Sequence, residues 1–219
     1  MNKKKKTFIM TIPFQPPGGL KKTRYYPKNC SELKYGETHF PIIPVIAHHA
    51  RDEKEVRIVI IKTEGENYEW NYKEIFLPEI EEIRKELGVS FELETITTKD
   101  EETIDVQLKL FERLINVIED NEELYVCITY GTKPTPIALF LALSYAYRLK
   151  EGTSVERVVY GKHFHKEPPG DTESLLFDTT ALFYMDAIVN RLAEAKVANP
   201  IEVIGSLLNV RKYEEGFDE

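Results

Sequence analysis

Cysteine is nearly missing from this chain: 219 residues contain two, Cys30 and Cys127. One falls in a polar loop and the other in an apolar run, so no disulfide framework is expected, and no paired cysteines offer zinc spacing. The histidines suggest no metal site either, because His48-His49 and His163-x-His165 lack a third ligand at sensible spacing. Long hydrophobic runs are missing too. Nothing approaches the roughly 20 apolar residues that span a bilayer. The opening MNKKKKTFIMTI has a basic start but only a short β-like apolar part, ended at Pro13, unlike a signal peptide. A cytoplasmic protein without membrane contact is the expectation. Positive charge is not in excess, with 29 Lys and Arg against 37 Asp and Glu, which argues against a broad grip on duplex DNA. No glycine-rich dinucleotide fingerprint follows the first strand and no P-loop pattern occurs, so no cofactor is expected.

What is present is an alternation of strand-like and helix-like segments. Residues 7–13, 55–64, 89–96, 125–129 and 154–163 read as strands. Apolar spacing predicts a helix over 71–87 (Ile75, Phe76, Ile80, Ile83, Leu87), stopped by Gly88. A second covers 101–120, with Val106, Leu110, Leu114, Val117 and Ile118 on one face. Another opens near Pro134, two more are expected at 179–197 and 200–210, and residues 40–50 suggest a short one. Residues 15–40 form a long, locally basic excursion rich in Gly and Pro, with room for a hairpin. The alternation implies an α/β fold, a Rossmann-like doubly wound and mostly parallel sheet with C-terminal helices. Residues 1–170 are assigned to a ligand-binding domain and 171–219 to a helical extension packing on it.

The functional signal concentrates in residues 125–142, YVCITYGTKPTPIALFLA. A strand that passes through a glycine turn into a helix N-terminus directs free N–H groups and the positive end of the helix dipole at one spot. The turn adds Thr129, Tyr130, Gly131, the Thr132 hydroxyl and the Lys133 charge. An ordinary βα loop looks the same in isolation, and topology weighs against that assignment. If the strand order is 3-2-1-4-5, ligands gather at the carboxyl ends of strands 1 and 4, where the order reverses. Strand 1 runs into the long PFQPPGG loop, so Thr11, Phe14, Gln15, Gly18 and Gly19 become candidate partners of the second loop. The glycines permit close backbone approach. Lys133, with Lys21, Lys22 or Arg24, supplies charge for phosphate. Phe14, Tyr25, Tyr26 and Tyr130 are candidates to stack on bases, with core packing as the competing assignment at each. His163 is a further contact candidate at the pocket rim.

ITYGTK after the fourth strand, the long loop after the first, and LLFDTTALFYMDAIVNRLAEAKVANPIEVIGSLL together resemble CARF domains. These are the CRISPR-associated Rossmann-fold sensors of type III antiviral systems, and the closest likeness is to effectors that join such a sensor to a HEPN ribonuclease. The likeness covers roughly residues 7–210. The family's turn after strand 4 holds a glycine followed by Thr or Ser and by Lys or Arg, matched here by Gly131, Thr132 and Lys133. Its aspartate-threonine pair before the next helix is matched by Asp178-Thr179. The resemblance implies a homodimer whose strand 1 and strand 4 loops surround a two-fold axis and bind one cyclic oligoadenylate of four or six nucleotides. Thr11, Gln15, Gly18, Gly19, Tyr130, Gly131, Thr132 and Lys133 would contact its phosphates and riboses.

The expected function is thus a sensor whose ligand state is read by a downstream effector domain or protein outside this chain. Arg157 to His163 has the spacing of the HEPN ribonuclease motif, but that motif belongs on a helix and VERVVYGKH is strand-like. An alternative is a metal-independent ring nuclease: a ribose 2′-OH attacks the neighbouring phosphate, and Lys133 and Thr132 stabilise the developing charge. No strong general base is evident for it. A third alternative is another nucleotide-binding Rossmann-like regulator. A DNA-binding one would need a helix-turn-helix, which the last two helices do not resemble.

Overall fold

The computed structural model of the protein describes residues 3–163 and 174–215, the stretch 209–215 as backbone only. His165 and most of the loop after residue 163 lie outside the described residues. The chain divides into two compact units, Met1–Thr180 and Ala181–Glu219.

The first unit is built on one sheet. Its strands are β1 (Lys5–Thr11), β2 (Thr23–Pro27), β3 (Glu37–Thr38), β4 (Glu55–Thr63), β5 (Ser90–Thr98), β6 (Glu122–Cys127), β7 (Ser154–His163) and β8 (Ser174–Asp178). They lie in the order β3-β2-β8-β7-β6-β1-β4-β5. The stretch from β5 to β7 is parallel and runs in the 3-2-1-4-5 order that places the switch point between β1 and β6. β4 is buried almost throughout, as a strand covered on both faces must be. The fold is α/β, with an eight-stranded, mostly parallel sheet flanked by helices in the Rossmann-like manner.

Two features go beyond the sequence expectation. β8 pairs antiparallel with β7, and β2 adds to β8 as a parallel neighbour. Residues 174–178 were too short an apolar run to stand out as a strand; pairing with both neighbours is what makes them one. The excursion after β1 therefore does not return beside β1. It travels over the carboxyl ends of β6 and β7 and the amino end of β8 to begin β2, four strand spacings or about 19 Å away.

Strand alternation sorts the side chains into two layers. Phe8 and Met10 of β1, Ile12 just after it, Ile58 and Ile60 of β4 and Cys127 of β6 pack with Ile43 and Ile46 of α1 (Ile43–His49). The same layer holds Phe76, Ile80 and Ile83 from a helical run in three parts: α2 (Glu66–Trp70), a π-helical turn (Asn71–Phe76) and α3 (Leu77–Leu87). The run starts five residues before the expected position 71. Its wide turn precedes Pro78, which cannot donate to the helical ladder and whose ring would strike the carbonyl one turn back. The chain accommodates this by the longer bond from Leu77 N–H to the Tyr72 carbonyl. Gly88 closes α3 in the left-handed conformation, φ 68°.

On the opposite face lie α4 (Ile104–Val117) and α5 (Thr135–Leu149), which bury Leu110, Leu114, Leu139 and Leu143. Beneath them the amino ends of the strands are tied by a buried polar knot. The Thr7 hydroxyl donates to Glu122 at 2.7 Å, and Arg57 reaches Glu122 at 3.2 Å, the Val117 carbonyl at 2.8 Å and Glu94. Such a knot fixes register, because a one-residue slip would strand charges in the core. The second unit contains α6 (Thr180–Glu194, whose first residue closes the first unit) and α7 (Pro200–Glu215).

Candidate functional site

β1 and β6 are direct neighbours at the point where strand order reverses, so the loops leaving their carboxyl ends adjoin. The second loop carries the donor groups. After Cys127 the chain passes Ile128 and Thr129, turns at Gly131 with φ 112°, and enters α5 at Thr135. Thr135 N–H closes back on the Thr132 carbonyl at 3.0 Å, and the hydroxyls of Thr132 and Thr135 lie 3.0 Å apart. Among the described residues nothing accepts from the N–H groups of Gly131, Thr132 or Lys133. Lys133 is exposed and joins no ion pair among the described residues.

The source of the donors differs from the expectation. Pro134 caps α5 and Pro136 stands in its first turn, neither with an N–H, while the N–H groups of Thr135, Ile137 and Ala138 are already bonded. The helix N-terminus thus contributes its dipole, and the three loop amides before it contribute the hydrogen bonds. They form a short cationic and amide-lined rim with Lys133 at its tip.

The first loop is more strongly determined by its own turn chemistry. Gly19 N–H donates to the Pro16 carbonyl at 2.7 Å, and Gly18 has φ 77°. Pro-Pro-Gly-Gly is therefore a type II turn, with proline second and glycine third. Gly18 supplies the positive φ of the turn, and the Gly19 amide is bonded within it. Phe14 is 58% exposed and rests on Tyr68, ring centres 5.3 Å apart. Thr11 is 2% exposed, and its Oγ1, like Oε1 of half-buried Gln15, has no partner among the described residues. Lys21, Lys22 and Arg24 are exposed farther along, toward β2.

Tyr25 and Tyr130 turn inward. Tyr25 is 1% exposed, so core packing describes it and base stacking does not. Its hydroxyl lies 2.8 Å from His163 Nε2, and the Tyr130 hydroxyl lies 3.2 Å from the same nitrogen and 3.2 Å from the His39 carbonyl. His163 Nδ1 is 2.9 Å from the Ser174 hydroxyl. A consistent proton arrangement has Tyr130 donating to His39, Tyr25 donating to Nε2, and Nδ1–H donating to Ser174. Burial pushes both phenols above the usual tyrosine range, which keeps them protonated as donors. His163 thus ties the end of β7 to β8 and β2. Thr129 is engaged similarly: its hydroxyl accepts from Gly161 N–H at 2.7 Å and lies 3.1 Å from Cys127 Sγ. Burial raises the Cys127 thiol to about 11, so it is held there as an unreactive packing group.

The remaining candidates fall elsewhere. Arg157 and His163 stand on one strand, where Arg157 pairs with Glu32 at 2.7 Å and Asp178 at 3.0 Å. His48 and His49 end α1, His49 lying against Tyr125 with ring centres 4.5 Å apart. Asp178 accepts from Thr180 N–H at 2.8 Å, which caps the start of α6. Sequence reasoning missed Asn71. It is fully buried in the π-turn, and its amide donates to the carbonyls of Pro13 at 3.0 Å and Gln15 at 2.7 Å. A polar residue facing the loop from an amphipathic helix was the available signal.

Set against protein-family models and curated proteins, the chain matches none.

Proposed function

We propose that this chain is a ligand sensor that binds a cyclic oligoadenylate of four or six nucleotides across a homodimer, as the resemblance to CARF domains implies. The observation that carries the reading is the rim of three unbonded loop amides, Gly131 to Lys133, with an exposed lysine at the switch point between β1 and β6. That rim suits phosphate oxygens: unbonded amides and a point charge follow one another there, and the α5 dipole favours negative charge at the same place.

A ring on a two-fold axis requires a face through which two copies meet. α5 carries no charged residue before Arg148, yet Ile137 is 64% and Leu141 53% exposed. A helix apolar all round belongs inside an assembly. With Ile104 and Leu108 of α4, these residues line an open groove of about 680 Å³ that begins at Pro134, next to Lys133. A second copy is the occupant this face suits, since its apolar lining carries one acid and one base, Glu102 and Arg148, and so no excess of either sign. Docking there would bring two 131–133 rims toward one axis.

Binding is favoured over cleavage, because the Thr132 hydroxyl is engaged by Thr135 and His163 by its buried partners. The test is incubation of the purified protein with cyclic tetra- and hexa-adenylate. A raised Tm with intact ring and one ring per two chains supports the sensor. Metal-independent conversion to linear product supports a ring nuclease instead, and absence of any effect with both rings sinks the reading.

A further inference from the structure

The loop after β1 is held by one side chain. Asn71 uses both hydrogens of its amide, one on the Pro13 carbonyl and one on the Gln15 carbonyl. The amide orientation is thereby determined, and Oδ1 points away from these carbonyls, buried and without a partner among the described residues. The helical run grips the same loop a second time through Tyr68, three residues earlier, against Phe14.

The gripped segment is unusual in its polar atoms. Thr11 Oγ1 and Gln15 Oε1 are both withdrawn from solvent without a hydrogen-bond partner among the described residues. An unmet buried polar atom is unfavourable, and proteins hold few of them. Two within five residues stand at the end of β1, the direct neighbour of β6, whose following loop carries the unbonded amides, so the crevice inferred between the two loops has opposite halves. Donors stand on the β6 side and oxygen acceptors on the β1 side.

We propose that Asn71 is a positioning residue of this crevice. It locks the Pro13–Gln15 backbone and with it the placement of Gln15, whose Oε1 then accepts from the donor groups of the ligand, its ribose hydroxyls and exocyclic amines, while the 131–133 amides take phosphate. The assignment of these donors rests on the nucleotide reading above; the locking of the loop does not. The π-turn has a part in this, because it gives the helix the extra residue that lets Asn71 face the loop while Phe76, Ile80 and Ile83 still face the core.

The test compares the full-length chain with Asn71→Asp and Gln15→Ala. Asp is isosteric but cannot donate, and it sets a carboxylate against two carbonyls. In hydrogen exchange without ligand, Asn71→Asp is expected to speed the amides of residues 12–22 while β4 and β5 stay protected. Unchanged exchange in that loop overturns the positioning role. In titration with the cyclic oligoadenylate that binds the wild type, each single variant is expected to lose about tenfold in affinity. The double variant is expected to lose no more than the stronger single one, since Asn71 acts through Gln15; a purely structural effect would multiply. Gln15→Ala keeps the test decisive if Asn71→Asp fails to fold, because undiminished affinity in that variant overturns the acceptor role. If the wild type binds neither ring, the nucleotide reading and the acceptor role fall together, and the exchange arm alone decides whether Asn71 holds the loop.

Discussion

Gly131 and Thr135 are interlocked: a Cβ on Gly131 would stand 2.9 Å from both Cβ and Cγ2 of Thr135. Glycine is needed there twice, for that close approach and for φ 112°. Gly131→Ala should therefore lower stability by about 1–3 kcal/mol and displace the three loop amides. Urea unfolding checks the first effect, and ring affinity checks the second. A variant of unchanged stability would show that the turn relaxes without strain.

Lys133 separates binding from folding. It is exposed and unpaired among the described residues, so Lys133→Ala should leave stability within about 0.5 kcal/mol of the wild type. If its ammonium meets a phosphate, the loss of a charge-assisted bond weakens affinity by about 1.5–3 kcal/mol. Calorimetric titration with the cyclic oligoadenylate reads this directly. Equal affinities would remove Lys133 from the site.

Charge on the outer face of α5 should abolish the dimer. Ile137→Glu with Leu141→Glu replaces two side chains already more than half exposed, so the monomer fold should survive. Light scattering after size-exclusion chromatography is expected to show a dimer for the wild type and a monomer for the double variant. A dimer that persists in the variant would place the interface elsewhere.

His49 makes stability depend on pH in a defined direction. Burial pushes its imidazole down to about 4, with Arg157, His48 and Lys6 adding to the effect and Glu32 opposing it. The unfolded chain, at about 6.5, takes up the proton first as pH falls. This contribution is therefore fully present above about pH 6.5 and lost as pH falls toward 4, on the order of 2 kcal/mol. The difference in unfolding free energy between pH 7.5 and 4.5 should shrink in His49→Phe. Identical pH dependence in both proteins would contradict it.

Much of the central sheet was legible because its strands are long and buried. EVRIVIIKT allows little but a doubly covered strand, and the YGTK turn announces itself by a glycine between a strand and an apolar helix. The edge was harder to read. β2 and β8 are each five residues long, and their pairing joins segments about 150 positions apart in the chain. Tyr25 and Tyr26 look alike in sequence, yet one is 1% and the other 48% exposed, because alternation along β2 turns only the first toward the core. Thr129 and His163 suit a ligand contact by residue type and position in the sequence, and only the fold shows that neighbours across the sheet hydrogen-bond them.

The sequence by itself determined the alternation of buried strands and helices, and a polar turn before α5 that carries Gly131, Thr132 and Lys133. Those follow from local rules, apolar period and turn chemistry, which act over a few residues. Tertiary structure decided which polar groups are left to meet a ligand. It bonded the Gly19 amide within its own turn, drew Tyr25, Tyr130 and His163 into one buried cluster, and brought Asn71 across 56 positions onto the Gln15 carbonyl. The reason is that a hydrogen-bonding group in a folded chain is defined by its partner, and these partners are set by packing between distant segments.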